Sequence, residues 1–331
     1  MLSPDGASDA YVAFLRRIDR LAASSATVLL QGESGAGKGA AARRLHSGGP
    51  RRAGPFVIAD LAAVAPLLLE STLFGHEKGA FTDAHHGREG LFRRATGGTI
   101  VLDDVDLLAP ALQGKLLRTL QERVVEPLGA ASPVPVDARV VATTRRDLAA
   151  DAAAGRFRSD LYWRLAVVVV EVPPLRAWIA DLPALALHLL PRLAERAGLP
   201  PRSLAPAALE RLRAHPWPGN VRELENALER ALVEGAGAAR PLEAADFAFL
   251  AEATRGVEEE LAARALAHGL TVDAMGRAMM ERALVEQRGN VSAAARQVGL
   301  TRRAFDYRRD RPAGAAGAGD GEELPGAGDR P

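Results

Sequence analysis

Gln31-Gly32-Glu33-Ser34-Gly35-Ala36-Gly37-Lys38-Gly39 follows the apolar run Ala26-Thr27-Val28-Leu29-Leu30 and precedes an Ala-rich segment reaching His46. The pattern reads as strand, phosphate loop, helix. Gly32, Gly35 and Gly37 let the backbone between Glu33, Ser34 and Ala36 turn its N–H groups inward around a polyphosphate. The following helix N-terminus adds its positive dipole end, and Lys38 supplies an ammonium for the β and γ oxygens. The expected ligand is a nucleoside triphosphate. The position after the lysine, where a Ser or Thr hydroxyl normally reaches Mg²⁺, is Gly39. Taken alone the stretch also suits a Gly/Ser turn, so the rest of the chain has to decide.

With 331 residues, 48% apolar and 25% charged, the chain has the composition of a globular protein of two or three domains. Its net charge of +1 is unevenly spread. Arg277, Arg282, Arg288, Arg296, Arg302, Arg303, Arg308, Arg309 and Arg311 face only Glu281, Glu286, Asp306 and Asp310, which makes a basic patch near the C-terminus. Disulfides and thiolate metal sites are excluded by the lack of cysteine. No signal-peptide core or span of about 20 apolar residues is present, so a cytoplasmic location is expected.

Tyr11, Phe14, Leu15, Ile18 and Leu21 recur at helical spacing, and Pro55 to Leu61 reads as a second buried strand. Gly75 to Ala84 has neither helical nor strand periodicity. Thr99-Ile100-Val101-Leu102 is an apolar strand ending in Asp103-Asp104, at the end where open parallel sheets bind ligands. Asp103 is placed to hold Mg²⁺ and Asp104 to orient or deprotonate an attacking water. Ala138 to Thr144 and Ala166 to Val170 complete a doubly wound α/β domain, with polar residues ending the fourth strand near the γ-phosphate. Beyond Pro173-Pro174 only helices are expected: Ala180 to Leu193, Pro206 to His215 and Val221 to Val233.

The order of these segments resembles the AAA+ domain of sigma-54-dependent transcriptional activators, the bacterial enhancer-binding proteins. Gly79-Ala80-Phe81-Thr82-Asp83-Ala84 is similar to the family's sigma-contacting Gly-Ala-Phe-Thr-Gly-Ala loop, with Phe81 and Thr82 as contacts. Phe157-Arg158 to Arg164-Leu165 resembles the arginine-finger segment, so Arg158 and Arg164 would reach a nucleotide on a neighbouring subunit. Trp217 to Asn226 matches the second sensor, in which Arg222 contacts nucleotide from the lid. The resemblance implies ATP and Mg²⁺ as cofactors, an ATPase activity, a hexameric homo-oligomeric ring, and the sigma-54 RNA polymerase holoenzyme as partner.

Departures from the family cluster on catalysis. Gly39 stands where the family has Glu, and Asp103-Asp104 where it has Asp-Glu. The shorter Asp104 carboxylate is displaced by about 1 Å, worth about a hundredfold in a positioned reaction. Arg145 stands at the first-sensor Asn. Asp60 stands at the switch Asn, so that Asp60 and Asp104 are expected to repel. Asp83 replaces the second loop glycine. Nucleotide binding is expected to persist with weakened hydrolysis.

Near the C-terminus, Met279 to Gln287, Val291 to Gln297 and Thr301 to Arg309 read as three helices, with Val298-Gly299-Leu300 as a tight turn and Thr301 as an N-cap. Ala293 to Arg296 and Gly299 to Arg303 resemble the Fis-type helix-turn-helix of these activators. Thr301, Arg302, Arg303, Tyr307 and Arg308 are the candidate contacts to double-stranded DNA upstream of promoters. The expected layout is a nucleotide-binding α/β part over 1–172, a helical lid over 173–240, an acidic linker over 241–275, the helix-turn-helix over 276–311 and a disordered tail over 312–331. The chain begins directly at the AAA+ region, so control is expected from a partner, from expression level or from a segment outside it. Two functions stay open: an ATP-driven activator that remodels the sigma-54 closed complex, and a DNA-binding regulator whose assembly follows ATP or ADP without efficient hydrolysis.

Overall fold

In the computed structural model, the structure describes residues 8–80, 86–235, 240–250, 261–287 and 289–310. Five parallel strands carry the nucleotide part: β1 Val28–Gln31, β2 Phe56–Asp60, β3 Thr99–Asp103, β4 Arg139–Thr144 and β5 Val168–Glu171, in the order β2-β3-β4-β1-β5. Strands consecutive in the chain are joined by helical crossovers, which permit parallel pairing. Strand side chains alternate between two cores. Val28, Leu30, Val101 and Val141 join one, while Leu29, Ile100, Leu102, Val140 and Ala142 join the other. The continuous apolar runs follow from burial on both faces.

Helix α1 (Asp9–Ala22) buries Tyr11, Phe14, Leu15, Ile18 and Ala22, the spacing of one helical face. Helix α2 (Lys38–Ser47) follows the phosphate loop, and Pro66–Phe74 and Pro110–Glu122 begin with proline in their first turn. The expected buried second strand is corrected. β2 is an edge strand, paired only with β3 among the described residues, and its Ile58 and Asp60 are exposed.

Leu175–Asp181 forms a short 3₁₀ segment that leads into three lid helices, Leu182–Ala197, Pro206–Ala214 and Asn220–Glu234. Their core continues past them, because Leu242, Phe247 and Leu250 are buried in the same cluster. The Ala205 N–H donates to the Leu242 carbonyl at 2.8 Å, and the Leu242 N–H to Ser203 at 2.8 Å. The linker expected from residue 241 is therefore corrected at its start, since this stretch completes the lid.

Residues up to Leu250 form one compact unit and those from Ala251 a second. In the second, residues 261–267 are helical, followed by Val272–Glu286, Val291–Gln297 and Arg302–Asp310. Met280, Ala283, Ala294, Ala295 and Phe305 make its core. The helix expected from Met279 begins at Val272, because the Thr271 hydroxyl accepts from the Ala274 N–H at 3.2 Å. The linker expected to reach residue 275 and the helix-turn-helix expected to begin at 276 are corrected accordingly. Thr301 caps the last helix as expected, accepting from the Ala304 N–H at 3.2 Å. The expectations for Phe81, Thr82, Asp83, Ala84 and the 312–331 tail lie outside the described residues.

Candidate functional site

The phosphate loop is closed by the lid. Gly35 and Gly37 take positive φ, and a Cβ on Gly35 would stand 2.2 Å from the Gly219 carbonyl oxygen. Glycine at 35 is therefore required both by its conformation and by close approach. The Val221 N–H donates to the Gly35 carbonyl at 3.1 Å, and Arg222 donates from Nη1 to the Ser34 hydroxyl at 2.9 Å. Sequence reasoning placed Arg222 here but missed its neighbour Asn220. That side chain is fully buried. Its Nδ2 donates to Glu33 Oε2 and to the Ser34 carbonyl, both at 3.0 Å, and its Oδ1 accepts from the Leu175 N–H at 2.8 Å. Arg176, also missed, donates from Nη1 to Glu33 Oε2 at 2.8 Å. Its guanidinium holds the Glu33 carboxyl below the usual carboxylate range. The positive φ of Asn220 and Trp217 has a signal in the sequence, since Trp-Pro-Gly-Asn is turn punctuation.

Lys38 is buried and donates to the Gly32 and Glu33 carbonyls at 2.8 and 3.0 Å. Burial pushes its ammonium below the usual lysine range, opposed by Asp104 and Asp103. A Cβ on Gly39 would meet nothing within 4 Å. Beside the loop, a cavity of about 160 Å³ is bordered by Phe14, Val172, Trp178, Leu189 and Val221. Tyr11 stacks on Trp178 with ring centroids 4.2 Å apart. An apolar cleft against a phosphate loop suits a flat heteroaromatic base.

At the C-terminal ends of β3 and β4, Thr143 organises the carboxylates. Its hydroxyl donates to Asp103 Oδ1 at 2.6 Å and accepts from the Asp104 N–H at 3.0 Å. Thr144 donates to Asp106 Oδ1 at 2.9 Å. The fourth-strand hydroxyls thus hold these acids at the strand ends, where a γ-phosphate is expected. Asp104 takes φ +56°, and its Oδ2 lies 3.7 Å from Arg145 Nε. Burial raises its carboxyl above the usual range, Arg145 opposes the shift, and Asp103 adds to it. The expected repulsion between Asp60 and Asp104 is corrected. Asp60 Oδ1 accepts from the Ala62 and Ala63 N–H groups at 3.1 Å each, and the carboxylates acting on Asp104 are Asp103 and Asp106.

The donor set fits a Mg²⁺ carried in on triphosphate. Asp103 uses one oxygen on Thr143 and keeps the other for such an ion, while Gly39 offers no hydroxyl. No group of three or more His, Cys, Asp or Glu side chains forms a metal cage among the described residues.

Arg158 and Arg164 lie apart from the phosphate loop's contacts. Arg158 forms a two-point pair with Asp160, at 3.1 and 2.8 Å, and Arg164 donates to the Leu120 carbonyl at 3.2 and 2.8 Å. Next to them Trp163 is exposed. Gly79 and Ala80 lie between the two strands of a short ribbon in which Gly75–His76 pairs with Arg88–Glu89. In the second unit Arg302, Arg303, Tyr307 and Arg308 are all exposed on the last helix. Arg302 lies 3.9 Å from Asp306, which tempers the basic face. Among the described residues no helix is long and apolar enough to cross a membrane.

Residues 5–171 match the family model described as the sigma-54 interaction domain, 176–260 the AAA+ ATPase lid domain, and 272–311 the bacterial regulatory protein, Fis family. The transcriptional regulatory protein ZraR of Escherichia coli K12 is 43% identical, the match covering 90% of this chain and 66% of that protein. The response regulator protein PilR of Pseudomonas aeruginosa is 44% identical over 92% of this chain and 68% of its own length. A ZraR from Klebsiella oxytoca is 50% identical over 69% of this chain and 52% of that protein. The chain thus spans about half to two thirds of the length of these curated relatives. Among solved structures, NtrX from Brucella abortus in complex with ADP superposes with a TM-score of 0.69 and 31% identity, covering 93% of this chain and 69% of that one. NtrX in complex with ATP gives 0.66 and 31%, over 91% and 67%.

Proposed function

The chain belongs to the family of sigma-54-dependent transcriptional regulators, and from that membership we propose that it is an ATP-dependent activator. It binds DNA upstream of promoters and remodels the closed complex of sigma-54 RNA polymerase. The observation that carries this reading is the closure of the phosphate loop by Asn220 and Arg222 of the lid. A change in what the loop holds is thereby felt by the lid. ATP and ADP as ligands are supported by the complexes of NtrX, a relative at 31% identity.

In this reading Gly32 to Gly39 cradle the phosphates, and the adenine enters the cleft against Trp178 and Leu189. Lys38 leaves the Gly32 and Glu33 carbonyls for the β and γ oxygens, and Asp103 holds the nucleotide's Mg²⁺. When bound, that ion neutralises charge building on the phosphate oxygens. Asp104 receives a proton from the attacking water. Arg158 exchanges Asp160, and Arg164 the Leu120 carbonyl, for the phosphates of a neighbouring subunit, which couples turnover to assembly of a hexameric ring. Gly79 to Ala84, centred on Phe81 and Thr82, contact the sigma factor. Thr301, Arg302, Arg303, Tyr307 and Arg308 meet DNA, the phosphate contacts positioning the helix and base contacts selecting the site.

Open-complex formation on a sigma-54 promoter in a purified transcription system tests the reading. ATP-dependent opening that Lys38→Ala abolishes is expected, and failure with saturating ATP and bound DNA overturns it. A second reading has a specific observation behind it, the shortened Asp104 paired to Arg145. It is a DNA-binding regulator whose oligomerisation follows ATP or ADP without efficient hydrolysis. Nucleotide-dependent sedimentation without turnover would favour it.

A further inference from the structure

Two arginines follow strand β4 in tandem and find different partners. Arg146 pairs with Asp151 at 2.7 Å, whereas Arg145 brings Nε to 3.7 Å from Asp104 Oδ2. Asp104 is pinned from behind. Its N–H donates to Thr143 Oγ1, the same hydroxyl donates onward to Asp103, and its backbone sits in the left-handed region. Lys38, the other cation acting on this carboxylate, has its ammonium engaged by the Gly32 and Glu33 carbonyls. Arg145 is thus the ion-pair partner of Asp104 among the described residues.

We propose that Arg145 is a brake on Asp104 within the same subunit: its guanidinium stands as the ion-pair partner of the Asp104 carboxylate and holds it turned from the attacking water, and so slows hydrolysis without being needed to hold nucleotide. The proposal rests on the reading of this site as an ATP site. In the step it slows, the water oxygen bonds to the γ-phosphorus. The bond from that phosphorus to the β–γ bridging oxygen breaks, its electron pair leaves on ADP, and the water proton passes to Asp104. A general base acts through a lone pair presented to the proton it accepts, and a guanidinium ion-paired with the carboxylate draws that lone pair away from the water. Aspartate has one torsion fewer than glutamate, so with its backbone pinned it has less reach for turning from Arg145 to the water. Arg145 is a positioning residue here, acting through Asp104.

The test measures nucleotide affinity with a fluorescent ATP analogue, and steady-state ATP turnover over a range of protein concentrations, for the full chain and its variants. Arg145→Asn is expected to raise kcat about fivefold, the worth of a half-exposed ion pair, with nucleotide affinity unchanged. Arg145→Lys, which keeps a cation, is expected to gain less. Asp104→Asn is expected to lack turnover, and adding Arg145→Asn to it is expected to restore none. If the unaltered chain turns over too slowly to measure, turnover appearing in Arg145→Asn supports the brake. Nucleotide binding with kcat unchanged or lowered in Arg145→Asn overturns the brake alone. Failure of the unaltered chain to bind nucleotide overturns both the brake and the ATP reading beneath it.

Discussion

Asn220 is the side chain whose removal tests how loop and lid are joined. It is fully buried and satisfies the Leu175 N–H, the Ser34 carbonyl and one oxygen of Glu33. Asn220→Ala strands the first two, at about 1–3 kcal/mol for each buried polar group left unmade. It also forces alanine into φ +55°, at about 1 kcal/mol more. Water entering the gap recovers part of this, so the net loss is about 3–4 kcal/mol. For a unit of this size each kcal/mol moves the midpoint by about 2–4 °C, so the thermal transition falls by about 6–16 °C. Buried Trp217 and Trp178 report it by fluorescence. Asn220→Gly loses the same hydrogen bonds but not the backbone preference, and unfolds about 2–4 °C above the alanine variant. An alanine variant melting with the unaltered protein would refute the hydrogen-bond account. Equal midpoints for Ala and Gly would refute the backbone part.

Gly39→Ala and Gly35→Ala are expected to move stability in opposite directions. At 39 a Cβ meets open space in the first turn of α2 and raises stability by up to about 1 kcal/mol, whereas at 35 it strikes the Gly219 carbonyl, and both melting and nucleotide binding suffer. Burial lowers the pKa of His46 from its usual 6.5, with Arg139 and Arg43 adding to the shift, while its Nδ1 pairs with Thr99 Oγ1 at 3.0 Å. The neutral form is the one favoured by folding, so its contribution is complete above 6.5 and is lost as pH falls through that value towards the lowered folded pKa. Urea midpoints at about pH 7.5 and 5.5 should therefore differ less in His46→Gln than in the unaltered protein. Arg303→Ala is expected to weaken binding to any duplex and to cut the salt dependence by about one counterion if Arg303 contacts phosphate, with an unchanged salt slope refuting that assignment.

The strands and the phosphate loop were legible because each is a local pattern: an apolar run of strand length, or glycines at fixed offsets before a lysine. Sheet order is not local. Nothing in Phe56-Val57-Ile58 distinguishes an edge from a centre, and the run was read as buried until β2 took its place at the rim. The loop-to-lid clasp was hidden for the same reason, since Asn220 and Glu33 are 187 residues apart. Composition misled in one place. Glu258-Glu259-Glu260 made the stretch from Pro241 read as linker, whereas Leu242, Phe247 and Leu250 are spaced to finish the lid's core. The C-terminal helices were legible through the turn at Val298 to Leu300 and through Thr301, whose side chain caps as its position suggests, whereas the Asn290 cap came only with the structure.

The departures around the phosphate site differ from decay in one physical respect. A site eroding at random leaves half-buried charges without counterparts, because each substitution removes one member of a pair, and the group left behind is costly. Here the altered positions have partners. Asp60 has the Ala62 and Ala63 amides, and Asp104 and Arg145 have each other. The charge brought by Asp60 is absorbed by its own turn, so Asp60→Asn is expected to leave Asp104 and turnover as they are. The charge brought by Arg145 falls on the carboxylate that has to act, and reversing it changes the rate. If instead Asp60→Asn raised turnover while Arg145→Asn did not, the electrostatic control of Asp104 would lie on the β2 side of the site, and the pairing with Arg145 would be only structural.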